Sequence, residues 1–209
     1  MKPQNRSWVK AACFSGIPLF LFLLASGSAP AFADVEKGRQ AVEDGDYQTA
    51  LAEFQKDAAE GNADAQFCLA HLYDDDEGLS PDYQEAFRWY LKAAEQGYAK
   101  AQFSLGLMYN EGKGVSRNYT EAIVWYRQAA AHGDTRAKNR LGMLHANGMG
   151  VPRDFVAADM WWILAAAQGD LAADKNRITV EQQMSAAEIG EAQKLANEWR
   201  SVFEIKTGI

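Results

Sequence analysis

One run of carboxylates stands out, Asp74-Asp75-Asp76-Glu77, followed by Gly78. Clustered carboxylates suit a hard cation, but a calcium loop alternates ligands with spacers and closes on a distant bidentate Glu. The run does neither and reads as a solvated loop. Histidine is the common metal ligand and proton shuttle near neutral pH, and the chain has three, His71, His132 and His145. Outside residues 1–33, where Ser7-Trp8-Val9-Lys10 falls, the spacings Ser-x-x-Lys, Gly-x-Ser-x-Gly and His-Glu-x-x-His are absent, as is a P-loop. No catalytic residue, metal or cofactor is therefore expected. Trp89, Trp125 and Trp161 recur at a spacing of 36 residues. A ligand could stack on such a ladder, but the alanines around them at helical spacing favour core packing. Asn118-Tyr119-Thr120 has the form of a glycosylation acceptor, without a eukaryotic context that would make it matter.

The elements that hold these residues follow from the same period. Three blocks, 65–100, 101–136 and 137–172, align without gaps. Leu69, Leu105 and Leu141 coincide, as do Gly78, Gly114 and Gly150, and the pairs Ala93-Ala94, Ala129-Ala130 and Ala165-Ala166. A fixed period of this length is the mark of a repeat array. Within a block, Ala101, Leu105, Met108 and Tyr109 lie on one helical face, and Ala122, Trp125, Tyr126, Ala129 and Ala130 on another. Each block is thus two antiparallel helices. Gly106 and Gly142 interrupt the first helix at a cost of about 1 kcal/mol against Ala, which a close helix crossing would explain. Asp82 with Glu85 and Asn118 with Glu121 have capping-box spacing, and Asp154 can cap alone. His71 and His145 fall two repeats apart. At roughly 10 Å per stacked helix they are too far apart to share a metal.

The ends depart from the frame, as arrays require. Residues 34–64 form a degenerate unit whose first helix is the polar run VEKGRQAVED. Residues 173–209 restart the unit, break at Ile178–Met184, and continue after the box Ser185–Glu188. A closing helix then runs to about Phe203, with Ile189, Ala192, Leu195, Ala196 and Trp199 on one face. Residues 1–33 are of another kind: Lys2, Arg6 and Lys10, then an apolar stretch, then Ala31-Phe32-Ala33 before Asp34. That order is a secretory signal peptide cut between Ala33 and Asp34. If retained, the segment would be a membrane anchor.

The 209 residues are 48% hydrophobic and 23% charged, with a net charge of -7. Without residues 1–33 the chain has 176 residues, a charge of -10 and a single cysteine, Cys68. Such an acidic chain argues against nucleic acid and anionic lipid as partners. One cysteine closes no internal disulfide, and Cys68 reads as a small buried residue.

The segment AQFSLGLMYNEGKGVSRNYTEAIVWYRQAAAHGD at 101–134, with its counterparts at 65–98 and 137–170, resembles the Sel-one-like repeat family of tetratricopeptide-like proteins. The frame A-x-x-x-L-G-x-x-Y-x-x-G-x-G-V is complete only at 101–115; Ala70 and Asp76 replace glycines, and His145 replaces the Tyr. The resemblance implies an all-α fold, a right-handed α/α superhelix of about four repeats with a capping helix. It also implies a non-catalytic exported scaffold, periplasmic or secreted, that binds a protein or peptide on its concave face. By that analogy the binding positions are Gln66, Phe67, His71, Asp74, Gln102, Phe103, Leu107, Asn110, Lys138, Asn139 and Met143, with Phe67, Phe103, Leu107 and Met143 as an apolar stripe or else core. Some secreted relatives are described as acting on β-lactams, but those carry paired cysteines in each repeat. A cell-wall or β-lactam hydrolase, and a tethered adaptor, are the alternatives.

Overall fold

In the computed structural model, residues 32–76 and 79–207 are described. Ten helices and no strands make up these residues. They are α1 (Phe32–Asp44), α2 (Tyr47–Ala59), α3 (Ala63–Asp74), α4 (Tyr83–Glu95), α5 (Ala99–Glu111), α6 (Tyr119–Ala131), α7 (Thr135–Asn147), α8 (Phe155–Ala166), α9 (Leu171–Glu181) and α10 (Ala186–Thr207). The chain divides into two compact units, one ending at Gln96 and the other starting at Gly97. The expected signal segment lies outside the described residues, except that the Ala33–Asp34 bond falls in the first turn of α1.

The hairpins α3/α4, α5/α6 and α7/α8 are the three aligned blocks, each beginning two residues earlier than its block of the sequence frame. Their helices start where a side chain can cap them. Asn62, Asp134 and Asp170 cap the first helices of their pairs, and Asp82, Asn118 and Asp154 cap the second, each accepting from backbone N–H groups of the first turn. The expected capping boxes close only by half in the array. The backbone N–H of Asp82 and Asn118 does not meet the Glu three residues on, and that of Asp154, with Ala157 in that place, has none to meet. Each donates instead to the carbonyl of Tyr73, Tyr109 and His145, at 2.8, 2.9 and 3.0 Å. That bond, repeated in each unit, pins the interhelix loop. The reciprocal box does form at α10, where Glu188 Oε2 accepts from the Ser185 N–H at 2.7 Å and the Glu188 N–H donates to Ser185 Oγ.

The glycines inside first helices are crossing points, as their cost implied. A Cβ on Gly106 would lie 2.4 Å from the Tyr126 ring, and one on Gly142 2.5 Å from Trp162 Nε1. Gly38 stands in the same relation to Phe54 in the first hairpin. Each glycine admits one aromatic ring against bare helix backbone. The rings so admitted correct the ladder reading. Tyr90, Tyr126 and Trp162 fill the core, whereas Trp89 and Trp125, one residue earlier, are not buried. Trp161 is buried because α10 covers it, with Trp199 edge-on at 5.6 Å.

Three further differences concern the ends. The loop of the first hairpin is only Gly45 and Asp46, and its polar first helix buries Val35, Arg39, Ala41 and Val42. Arg39 reaches Asp64 on α3. The expected break at Ile178–Met184 shrinks, because α9 continues to Glu181. The closing helix packs on α8 through Ala192 and Ala196, both fully buried.

The loop of the last full hairpin rests directly on its predecessor. Gly150 has φ +73°, and a Cβ there would meet the Tyr119 backbone at 2.7 Å. Thr120 Oγ1 donates to the Gly150 carbonyl. Gly150→Ala is expected to cost about 2 kcal/mol or more, from left-handed strain plus backbone overlap; the midpoint of urea unfolding checks it.

Candidate functional site

The residues assigned to a concave face divide into two sets. Gln66, Phe67, Gln102, Phe103 and Lys138 are buried, with Lys138 only 1% exposed. Phe67 packs against Tyr90 and Phe103 against Tyr126, with ring centroids 5.7 Å apart in both pairs. The apolar stripe is therefore largely core. The helical period alone could not show this, because these phenylalanines sit one turn from the glycine or alanine that admits the neighbouring ring.

The buried polar members build rungs within each hairpin. Gln96 Nε2 donates to Gln66 Oε1 at 2.7 Å. His132 Nδ1 lies 2.9 Å from Gln102 Oε1. Lys138 Nζ donates to Gln168 Oε1 at 2.9 Å and lies 5.0 Å from the Trp199 ring. The first-helix residue at each rung is desolvated, and a buried polar group left without a partner costs about 1–3 kcal/mol. The rungs thus fix the pairing of the two helices. Asn139 is also engaged, accepting from Trp162 Nε1 at 3.0 Å and donating to Asp170.

The second set remains accessible. Met143 is 39% exposed. His71, Asp74, Leu107 and Asn110 are half-buried. His71 lies edge-on to Phe67 and 3.9 Å from Asp75. In the acidic run Asp74 and Asp75 are half-buried and Asp76 is exposed; Glu77 and Gly78 lie outside the described residues. No group of three His, Cys, Asp or Glu side chains among the described residues could hold a metal ion. Cys68 is buried and forms no disulfide. No described helix is long and apolar enough to cross a membrane.

Two buried ionisable groups stand apart; the sequence pattern passed over Asp159 and weighed His145 only as a metal ligand and as a replacement for the frame's Tyr. Asp159 on α8 is fully buried, and neither carboxylate oxygen has a hydrogen-bond partner. Burial raises its pKa to about 6, with the Glu181 charge adding and Arg177 opposing. Arg177 is already held by Asp174 and Glu181. The available signal was the frame itself: Asp159 follows Ala158 where Phe87 follows Ala86 and Ile123 follows Ala122. The second group is His145, 8% exposed, whose ring nitrogens both lack partners. Burial and the Arg127 charge hold its pKa below the usual histidine value, against Asp154.

Comparison with known proteins adds family and fold. The Sel1 repeat family model matches residues 63–98, 99–134 and 135–170, the three hairpins above. A Sel1 repeat protein from Oxalobacter formigenes is 37% identical over 69% of this chain and 57% of its own, with a TM-score of 0.63. The protein c5321 of uropathogenic Escherichia coli, described as a protective antigen displaying an SLR fold, is 28% identical over 83% of this chain and 46% of its own, with a TM-score of 0.59. The chain thus spans about half the length of these two structures. No curated protein matches the sequence. The matched frame is the one that places a small residue under each core ring, and with three consecutive copies of it the chain belongs to the Sel1 repeat family.

Proposed function

We propose that the protein is an exported, non-catalytic scaffold that holds a protein partner on its first-helix surface. The observation that carries this reading is the repeat frame itself, whose side chains are consumed in packing and rungs and leave only scattered contact residues outside. An interaction surface needs shape and a few anchors, not converging acid–base groups. In the second unit the accessible positions are Leu107 and Asn110 on α5 and Met143 on α7. The buried Gln102, Phe103 and Lys138 position those helices, as Gln66 and Phe67 position α3 in the first unit, and leave no polar group for a partner. Export rests on the basic, apolar and small-residue order of residues 1–33. The net charge of -10 after removal of that segment favours a protein partner over nucleic acid.

A photo-crosslinking residue at Met143 should capture a defined partner in envelope extracts. The same residue at Val124, on a second helix and 45% exposed, should not. Identical products from both positions would remove the first-helix surface from consideration.

A further inference from the structure

A cavity of about 570 Å³ lies where the loop after α7 meets the start of α8 and α10. It is lined by His145, Val151, Pro152, Arg153, Asp154, Phe155, Val156 and Glu188. That volume is within the range of small-ligand sites, roughly 300–1,000 Å³. Its apolar wall is Val151, Pro152, Phe155 and Val156. Over the Phe155 ring sits the Arg153 guanidinium, 5.2 Å from the centroid and without an acidic partner among the described residues.

His145 gives the cavity its character. The corresponding residue in the two preceding hairpins is Tyr73 or Tyr109, so an imidazole stands here where the frame has a phenol. Its backbone does the ordinary work of the frame, accepting from the Asp154 N–H. Its ring does not: it is more than nine-tenths buried with both nitrogens unbonded. A buried polar group in that condition calls for a partner the chain does not supply. A neutral imidazole offers one donor and one acceptor, the same pair that a peptide group presents.

The charges decide between ligand classes. Asp154 and Glu188 bring two carboxylates to the rim against the single Arg153, so a free anion is disfavoured. Both acids are also occupied, Asp154 by the Ala157 N–H and Glu188 by Ser185. We infer that this cavity is a second binding site, distinct from the first-helix surface, that takes an uncharged peptide segment by one apolar side chain and one peptide group. The side chain lies on Phe155, Val151 and Val156. The peptide group bonds the His145 ring, and a carbonyl meets Arg153.

The test uses the full chain with histidine ring nitrogens and backbone amides labelled with ¹⁵N. The three histidines give few ring signals. N-acetyl-leucyl-leucine methylamide, added to millimolar concentrations, should shift the His145 ring nitrogens and the Val151 and Val156 amides saturably. His71 and His132 should stay unmoved. His145→Phe keeps an aromatic ring and removes both nitrogens; it should weaken binding about five- to tenfold, the worth of one hydrogen bond. Arg153→Gln, on the exposed loop, should weaken it in the same direction and serves if the first variant does not fold. Three results would overturn the proposal: no saturable shift at the solubility limit, unchanged binding by both variants, or tighter binding of the free acid N-acetyl-leucyl-leucine. None of these outcomes bears on the crosslinks from Met143.

Discussion

Gly142→Ala should destabilise the second unit by about 2–4 kcal/mol, although alanine is the better helix former. The added Cβ would lie 2.5 Å from Trp162 Nε1 and 2.7 Å from two further indole atoms. Overpacking of this kind costs about 1–3 kcal/mol. The ring cannot simply tilt, because its N–H donates to Asn139 Oδ1, and a buried donor set adrift adds about 1–3 kcal/mol. Against these stands the gain of about 1 kcal/mol in helix propensity. Gly106→Ala presses on Tyr126 just as closely, but the Tyr126 hydroxyl has no partner to lose. That ring can yield more freely, so the cost should be smaller. At Gly190 in α10 nothing lies within 4 Å of the place an alanine methyl would take, and Gly190→Ala should gain about 0.5–1 kcal/mol. Urea midpoints of the three variants should therefore fall in the order Gly190→Ala, Gly106→Ala, Gly142→Ala. A Gly142→Ala protein as stable as the parent would show that the crossing does not require glycine.

Asp159→Asn should stabilise the protein by roughly 2–4 kcal/mol at pH 8 and by little at pH 4. The carboxyl has an ordinary value of 3.8 and is pushed up to about 6, chiefly by burial and then by Glu181. A raised acid binds its proton more tightly in the folded state than in the unfolded one. The stability from that proton is full below pH 4, is lost as pH rises from about 4 to 6, and is absent above. One pKa unit corresponds to about 1.4 kcal/mol, which sets the size of the gain at high pH. The asparagine side chain would be uncharged throughout, so the difference between variant and parent isolates this group from the other carboxylates. Thermal unfolding at pH 4, 6 and 8 measures it. A difference that does not grow with pH would show that the Asp159 carboxyl titrates in the folded state as it does in the unfolded chain, and that burial does not raise it.

These two residues also mark what could be read in advance. Gly142 was legible as a crossing, because a mid-helix glycine in a strict repeat has a cost and therefore a cause. The repeat, its hairpins, the caps at Asp82, Asn118 and Asp154, and the apolar face of the closing helix follow from local chemistry in the same way. Burial by neighbouring helices did not. Phe67 and Phe103 are apolar at positions that a single helix leaves outside, and only the neighbouring helix encloses them. Trp89 and Tyr90 are adjacent aromatics, and a rotation of about 100° between neighbouring residues decides which fills the core. Asp159 drew no reading at all, because the helix that buries it, α9, departs from the frame. His145 registered as a missing tyrosine, while its unbonded nitrogens depend on where the loop and α10 come to rest.

The rungs carry a consequence for how such arrays diversify. Gln66 answers Gln96, Gln102 answers His132, and Lys138 answers Gln168. Lysine only donates, whereas glutamine both donates and accepts. Recombination that put α7 alone in the place of α5 would set the Lys138 ammonium, which only donates, against the His132 ring that now meets the Gln102 amide oxygen. Moving α7 with α8 carries the matching acceptor along. The heritable module of this chain is thus the matched hairpin rather than the single helix, and duplications that keep hairpins whole preserve a complementarity that shuffled helices would lose.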